Sequence, residues 1–211
     1  MTLPDANLFS RLFGTLREPA KTAIETADGE RISYRDLVAR TGRMANLLAA
    51  RGVKPGDRVA AQTEKSVENL VLYFATVRAG AVYLPLNTAY TPHELDYFVT
   101  DAEPALVVCD PAKLEAIGVI AAKAGAQVET LDAQGGGSLS EAASGQPAEF
   151  ATVVREDGDL AAILYTSGTT GRSKGAMLTH DNLMSNTLTL ADTWRFTARD
   201  VLIHALPIYH T

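Results

Sequence analysis

The 211-residue sequence has a single cysteine and lacks long apolar runs. Because a disulfide needs two cysteines, no bridge can form within the chain, and a reducing compartment is compatible with it. No stretch approaches the roughly eighteen consecutive apolar residues that a membrane-spanning helix needs. Residues 1–7 lack the basic and apolar segments of a secretory signal. We therefore expect a soluble, unexported, cytoplasmic protein with no membrane partner.

An excess of positive charge is also lacking. Lys and Arg together number 19 against 25 Asp and Glu, which gives a net charge of −6, and the two signs are interspersed. Proteins that bind nucleic acid neutralise phosphates with clustered Lys and Arg, so we expect no nucleic-acid partner. A polyanionic ligand would have to be bound by a local group of residues. The 46% of hydrophobic residues is ample for a folded core.

Short apolar runs alternate with helix signals along the chain. Two alternating runs around Asp28-Gly29 predict a β-hairpin over 22–34. Further strands are predicted at 58–61, 81–86, 105–109, 127–131 and 160–165. Helix starts are predicted at Ser33, Ser66 and Thr91, and further helices over about 111–124 and 181–194. Strands separated by helices indicate an α/β fold with a doubly wound, mainly parallel sheet.

The composition changes between residues 132 and 158, where Gly, Ser, Ala, Gln and Glu dominate. We interpret this segment as a long surface excursion. It closes a predicted first α/β subdomain, residues 1–158. A second part then begins at residue 159 and continues to residue 211.

The stretch 165–175 directly follows the apolar run 160–164 and contains three glycines, several Ser and Thr hydroxyls, and Lys174. Glycines let backbone N–H groups approach an anion closely, hydroxyls donate further hydrogen bonds, and a lysine adds a mobile positive charge. The composition therefore favours a polyphosphate-binding loop. A solvated connection without a ligand is the alternative.

The order of residues in this loop excludes the Walker pattern, because Ser173 stands where the second Walker glycine should be. Thr-Ser-Gly-Thr-Thr-Gly-x-x-Lys-Gly instead resembles the signature loop of the adenylate-forming superfamily, which comprises acyl-CoA synthetases, amino-acid adenylation domains and luciferases. In that family a proline usually precedes the lysine. Ser173 in its place changes the stiffness of the loop rather than its contacts with phosphate.

The resemblance covers essentially the whole chain. Residues 32–37 and 78–86 are similar to two family segments that are structural in character. Leu206-Pro207-Ile208-Tyr209-His210 resembles the Leu-Pro-x-x-His motif of acyl-CoA synthetases, whereas amino-acid adenylation domains carry a different sequence there. Among the synthetases, the stretch 206–211 is most similar to malonyl-CoA synthetases. A pocket for a second carboxylate would be expected to contain a positive side chain such as an arginine, but no arginine of this sequence can be assigned to it.

The resemblance implies a ligase that works in two half-reactions. A carboxylate attacks the α-phosphorus of Mg-ATP to give an acyl-adenylate and pyrophosphate, and coenzyme A then displaces AMP. Lys174 and His210 are the implied catalytic residues, with His210 lining the acyl channel and Tyr209 equally suited to packing. Thr166 is the implied Mg²⁺ ligand, together with a glutamate beyond residue 211. The implied phosphate-binding residues are Thr166, Ser167, Gly168, Thr169, Thr170, Gly171 and Lys174.

Members of the family are much longer than this sequence. The resemblance therefore implies that the 211 residues hold the N-terminal part of the large domain, without the small C-terminal domain. We expect the isolated chain to be inactive unless a complementing C-terminal chain is supplied. Two alternatives remain open: a noncatalytic nucleotide-binding module or half-enzyme, and an amino-acid adenylation domain, which His210 disfavours.

Two other reactive side chains have simpler interpretations. Cys109 lies in the apolar run 105–109 and is expected to be a small buried hydrophobe. His93 lies in the first turn of a capped helix and is expected to be solvated.

Overall fold

The computed structural model describes residues 5–166 and 173–209, which form an α/β fold. The strands are β1 (Thr22–Glu25), β2 (Arg31–Ser33), β3 (Arg58–Gln62), β4 (Val82–Pro85), β5 (Leu106–Cys109), β6 (Gln127–Thr130), β7 (Leu160–Thr166) and β8 (Lys174–Thr179). The helices are α1 (Leu8–Phe13), α2 (Tyr34–Ala50), α3 (Val67–Arg78), α4 (Pro92–Ala102), α5 (Leu114–Lys123), α6 (Ser138–Ser144) and α7 (His180–Thr193).

Local signals fix several of these elements. Strands β1 and β2 pair antiparallel, as the Asp-Gly turn predicts. Ser33 caps α2 in a reciprocal capping box with Asp36. Thr91 and Glu94 cap α4 in the same way, with a proline in its first turn. Both helix starts are confirmed, because a capping box satisfies backbone N–H groups that the helix itself leaves without partners.

The main sheet has six strands in the order β6-β5-β3-β4-β7-β8. The first five are parallel to their neighbours, and only β8 runs antiparallel, against β7. The predicted mainly parallel sheet is therefore confirmed. Because β3, β4 and β7 are parallel, the segments that follow them all leave from the same edge, where ligands of such sheets usually bind.

Strands β3, β4 and β5 each contribute to two hydrophobic cores. In β3, Val59 and Ala61 belong to the core beneath α2, α3 and α6, whereas Ala60 belongs to the core beneath α4 and α5. In β4, Tyr83 belongs to the first of these cores and Leu84 to the second. Successive side chains of a strand point to opposite faces, so alternate residues are buried by different helices. This two-sided burial is the doubly wound arrangement.

The segment 132–158 contains a helix that the sequence interpretation did not include. Leu139 of α6 is fully buried in the core beneath α2. The guanidinium of Arg78, at the end of α3, donates to the carbonyl oxygen of Phe150 at 2.7 Å and to that of Val38 at 2.9 Å. The segment is therefore attached to α2 and α3 at several points. The division of the chain near residue 158 remains a prediction.

Within the described ranges, no helix has both the length and the apolar character needed to cross a membrane.

Candidate nucleotide site

The predicted phosphate loop joins β7 and β8, which pair antiparallel in the main sheet. Thr166 ends β7 and Lys174 begins β8, and the two are direct partners in the register of the pair. The hydroxyl oxygen of Thr166 lies 3.5 Å from the carbonyl oxygen of Lys174. The sheet therefore places these two predicted site residues side by side. The remaining predicted loop residues lie outside the described part of the chain: Ser167, Gly168, Thr169, Thr170 and Gly171.

Thr166 and Lys174 are both exposed at the carboxyl edge of the sheet. An exposed ammonium group and a hydroxyl at this edge can contact a phosphate without first breaking an ion pair, since none of the described ion pairs involves Lys174. Mg²⁺ prefers oxygen ligands and usually retains water and substrate phosphates around it. Thr166 fits such an ion as a single protein ligand. Across residues 5–166 and 173–209, no group of three or more His, Cys, Asp and Glu is arranged to hold a metal ion.

Gly175, the second residue of β8, lies against the side chains of β7. A Cβ atom at this position would come within 2.9 Å of Cγ2 of Ile163 and 3.5 Å of the Tyr165 ring. Contacts of 2.9 Å between carbon atoms are repulsive, so a larger residue would displace β8 or Ile163. The last glycine of the signature stretch therefore has a packing reason in addition to any role toward phosphate.

Helix α4 contacts the chain on both sides of residues 167–172, at Tyr165 and at Ser173. The Tyr97 hydroxyl donates to the carbonyl oxygen of Ser173 at 2.9 Å, and the Tyr165 hydroxyl donates to Oδ2 of Asp101 at 2.5 Å. The Tyr165 ring packs on Phe98, with ring centroids 4.5 Å apart. Burial, followed by the hydrogen bond to Asp101 and the charge of that carboxylate, raises the pKa of Tyr165, so the phenol stays protonated and keeps donating.

The second predicted motif lies near the same edge. Residues 206–209 are described, with Ile208 and Tyr209 half-buried, whereas His210 lies outside the described residues. The ammonium group of Lys65, in the loop between β3 and α3, donates to the carbonyl oxygens of His204, Ala205 and Leu206 at 2.9, 3.2 and 3.2 Å. The three donors of a lysine thus meet three successive carbonyls, two just before the motif and the third at its first residue, Leu206.

A cavity of about 220 Å³ lies beside this segment. Its walls come from α3, β4, β7, α7 and the C-terminal segment: Asn69, Leu70, Tyr73, Tyr83, Pro85, Ala162, Leu164, Leu183, His204 and Ile208. Inside, the Tyr83 hydroxyl donates to Oδ1 of Asn69 at 3.1 Å. Burial raises the pKa of Tyr83, so this phenol also remains neutral.

His180 is a buried residue that the sequence interpretation did not single out. It begins α7, and its Nδ1 accepts a hydrogen bond from the backbone N–H of Leu8 at 3.0 Å. Burial, assisted by the nearby charge of Arg155, lowers its pKa to about 4. The neutral ring therefore links the start of α1 to the helix that follows β8. A histidine directly after an N-cap threonine gives no such signal in sequence.

Two further interpretations of single residues are confirmed. Cys109 is fully buried, and burial together with the neighbouring Asp110 raises the pKa of its thiol to about 11. A thiol with so high a pKa is a poor nucleophile at neutral pH. His93 is exposed in the first turn of α4.

The sequence matches the family model described as AMP-binding enzyme over residues 15–211, which is nearly the whole chain. The chain belongs to the AMP-binding enzyme family. The superfamily predicted from the signature stretch is therefore confirmed, and the fold is that of the N-terminal domain of these adenylate-forming enzymes.

Solved structures agree with the fold described above. Apo MatB from Rhodopseudomonas palustris is 71% identical with a TM-score of 0.96, and the match covers 98% of this chain and 41% of that one. A structure of the same MatB with ATP bound matches equally well.

Among curated relatives, feruloyl-CoA synthase from an Amycolatopsis species is 34% identical over 91% of this chain and 37% of its own length. Mouse mitochondrial malonate–CoA ligase ACSF3 is 34% identical over 84% of this chain and 31% of its own length. The chain thus spans about a third of the length of the curated relatives that it matches.

Proposed function

We propose that this chain is the N-terminal part of an acid–CoA ligase that adenylates a small carboxylate with ATP and transfers the acyl group to coenzyme A. The observation that carries the proposal is the pairing of Thr166 with Lys174 at the carboxyl edge of the sheet, at the two ends of the signature stretch. Membership of the AMP-binding family and the likeness to MatB, which has been solved with ATP bound, support it.

The chemistry of the first half-reaction places the greatest demand on this loop. Negative charge accumulates on the departing pyrophosphate, and donors that are already in position stabilise it without reorganising. Lys174 supplies a charge there, and Thr166 supplies a hydroxyl. The loop residues between them would add backbone N–H groups and further hydroxyls, and a bound Mg²⁺ would neutralise part of the phosphate charge.

Malonate, or a related small dicarboxylate, is the proposed acyl substrate. The stretch 206–211 resembles malonyl-CoA synthetases, and one relative at 34% identity is a malonate–CoA ligase. A feruloyl-CoA synthase is equally similar, at 34%. Comparing malonate with ferulate and acetate in the same assay therefore tests the substrate separately from the reaction. His210 is proposed to orient the carboxylate.

Replacing Lys174 tests the role of the loop. In a complete enzyme that carries residues 1–211, we expect Lys174→Ala to slow adenylation by about 10²-fold or more, because a charged transition-state contact is lost. Malonate-dependent exchange of pyrophosphate into ATP measures this step. Lys123→Ala is the matched control, since Lys123 is an exposed lysine paired with Asp96 on the surface. Equal exchange rates in the two variants would contradict the assignment.

The isolated chain provides a second test. We expect residues 1–211 alone to form little or no acyl-CoA, because they cover only 41% of the MatB chain. Adding a complementing C-terminal chain is expected to restore activity if the two parts assemble. Calorimetry with ATP distinguishes the alternative, a noncatalytic nucleotide-binding module. ATP binding without carboxylate-dependent exchange, in the isolated and the completed protein alike, would favour that module.

A further inference from the structure

We propose that helix α4 positions the phosphate loop by holding both of its flanks, with Tyr97 and Asp101 as positioning residues. Tyr97 holds the carbonyl of Ser173 after the loop, and Asp101 holds the hydroxyl of Tyr165 before it. The inference concerns how the loop is held, and its consequence for ATP rests on the proposed function.

The two anchors lie close together on the helix and far from the loop in sequence. Tyr97 and Asp101 are four residues apart, so they lie on one face of α4. Their partners are 76 and 64 residues away along the chain. Between the two attached points, Tyr165 and Ser173, lies the part of the signature stretch that carries most of its glycines and hydroxyls. A single helical face therefore fixes where this segment begins and where it ends.

Helix α4 is itself well fixed in the fold. Its first turn is fixed by the Thr91–Glu94 capping box, and Leu95, Phe98 and Val99 are buried in the core that it shares with α5. Phe98 also packs on the Tyr165 ring. Motion of the loop flanks relative to α4 would break both the hydrogen bonds and this ring contact.

The hydrogen bond from Tyr97 matters more because residue 173 is a serine and not a proline. A proline at that position would restrict φ through its ring, but a serine leaves φ free. The hydrogen bond from Tyr97 restrains the Ser173 carbonyl from outside the loop. Lys174 follows directly, so the same bond limits where the lysine side chain can start.

Three matched substitutions test the inference. Tyr97→Phe and Tyr165→Phe each remove one hydroxyl that makes an anchoring bond and keep the ring. Tyr90→Phe removes a hydroxyl from the same aromatic cluster, where the Tyr90 ring lies 4.7 Å from Phe98, and is the control because none of the described hydrogen bonds uses that hydroxyl. Thermal unfolding of each variant checks that the fold is kept.

The readout that decides the inference is amide hydrogen exchange of a peptide covering residues 167–172 in the 211-residue chain. We expect exchange to be about fivefold faster in Tyr97→Phe and Tyr165→Phe than in wild type, and unchanged in Tyr90→Phe. Asp101→Ala should speed exchange as much as Tyr165→Phe does, because both substitutions remove the same hydrogen bond. For that reason the double variant, Asp101→Ala with Tyr165→Phe, should exchange no faster than either single variant. Unchanged exchange in both loop-flank variants would overturn the inference.

ATP binding separates this inference from the proposed function. If the chain binds ATP, Tyr97→Phe and Tyr165→Phe should weaken binding about five- to tenfold in calorimetry. In a complete enzyme they should raise KM for ATP and leave KM for the carboxylate unchanged, which a general loss of stability would not do. If the complete wild-type enzyme binds no ATP, the proposed function fails, while the exchange measurement still decides whether α4 holds the loop.

Discussion

The centre of the main sheet and its β8 edge differ sharply in burial. Every residue of β4 and β5 is buried, whereas four of the six residues of β8 are exposed. Helix α2 buries seven of its residues, but α7 buries only His180. Exposed apolar side chains also concentrate beyond α7, at Val201, Leu202, Ile203 and Leu206.

In these 211 residues, the two described ends of the phosphate loop, Thr166 and Lys174, lie at the less buried side of the sheet. Two-sided burial holds β3, β4 and β5, whereas individual hydrogen bonds add to strand pairing around the phosphate loop, α7 and the C-terminal segment. These are the hydrogen bonds from Tyr97 and Tyr165, the three bonds from Lys65 and the link between Leu8 and His180. Loops that bind ligands are commonly supported in this way by a rigid scaffold.

Replacing one apolar side chain by alanine in β4 and one in β8 should give the largest difference in the free energy of unfolding. Leu84 of β4 is fully buried, whereas Met177 of β8 is 65% exposed. We expect Leu84→Ala to lower the free energy of unfolding by about 4 kcal/mol, because it leaves a cavity, and Met177→Ala to change it by less than about 0.5 kcal/mol. Urea unfolding of the 211-residue chain measures both. Similar losses at the two positions would contradict the burial difference.

Lowering the pH should decrease the free energy of unfolding because the buried His180, at the start of α7, is neutral. Its pKa is about 4 in the folded protein and 6.5 as the ordinary value, so the unfolded chain takes up a proton first as the pH falls. The stabilisation from the neutral ring is complete above pH 6.5 and decreases by about 3 kcal/mol by pH 4. Urea unfolding of wild type and His180→Gln across this range should show the extra pH dependence in wild type alone. Parallel curves would exclude a buried neutral His180.

The smallest predicted effect concerns residues 204–206, which lead into the histidine motif. Lys65→Met keeps the apolar stem but removes three hydrogen bonds to the carbonyls of residues 204–206. Since Lys65 is exposed, we expect a local loss of about 1 kcal/mol and cleavage by thermolysin after Val201 about fivefold faster. Lys65→Arg should restore slow cleavage, and Lys123→Met should not alter it. Equal cleavage in all variants would show that Lys65 does not hold the segment.

Predictions from sequence succeeded where the signal was local. The caps at Ser33 and Thr91, the hairpin at Asp28-Gly29 and the alternation of strands and helices are all confirmed. Helix α6 was missed because its segment is rich in Gly, Ser and Ala, and only Leu139 and Ala143 of the helix are buried. Its burial depends on α2, which is distant in the sequence.

The sequence by itself determined the order of residues in the phosphate loop and, through it, the AMP-binding family. That information is local, since it is carried by a continuous stretch of side chains. Only the tertiary structure decided that β3 lies between β4 and β5, that β8 runs antiparallel, and that α4 contacts both flanks of the loop. The strand order depends on partners 24 and 47 positions apart, and the contacts of α4 depend on partners 64 and 76 positions apart. Packing establishes these contacts, and no local pattern records them.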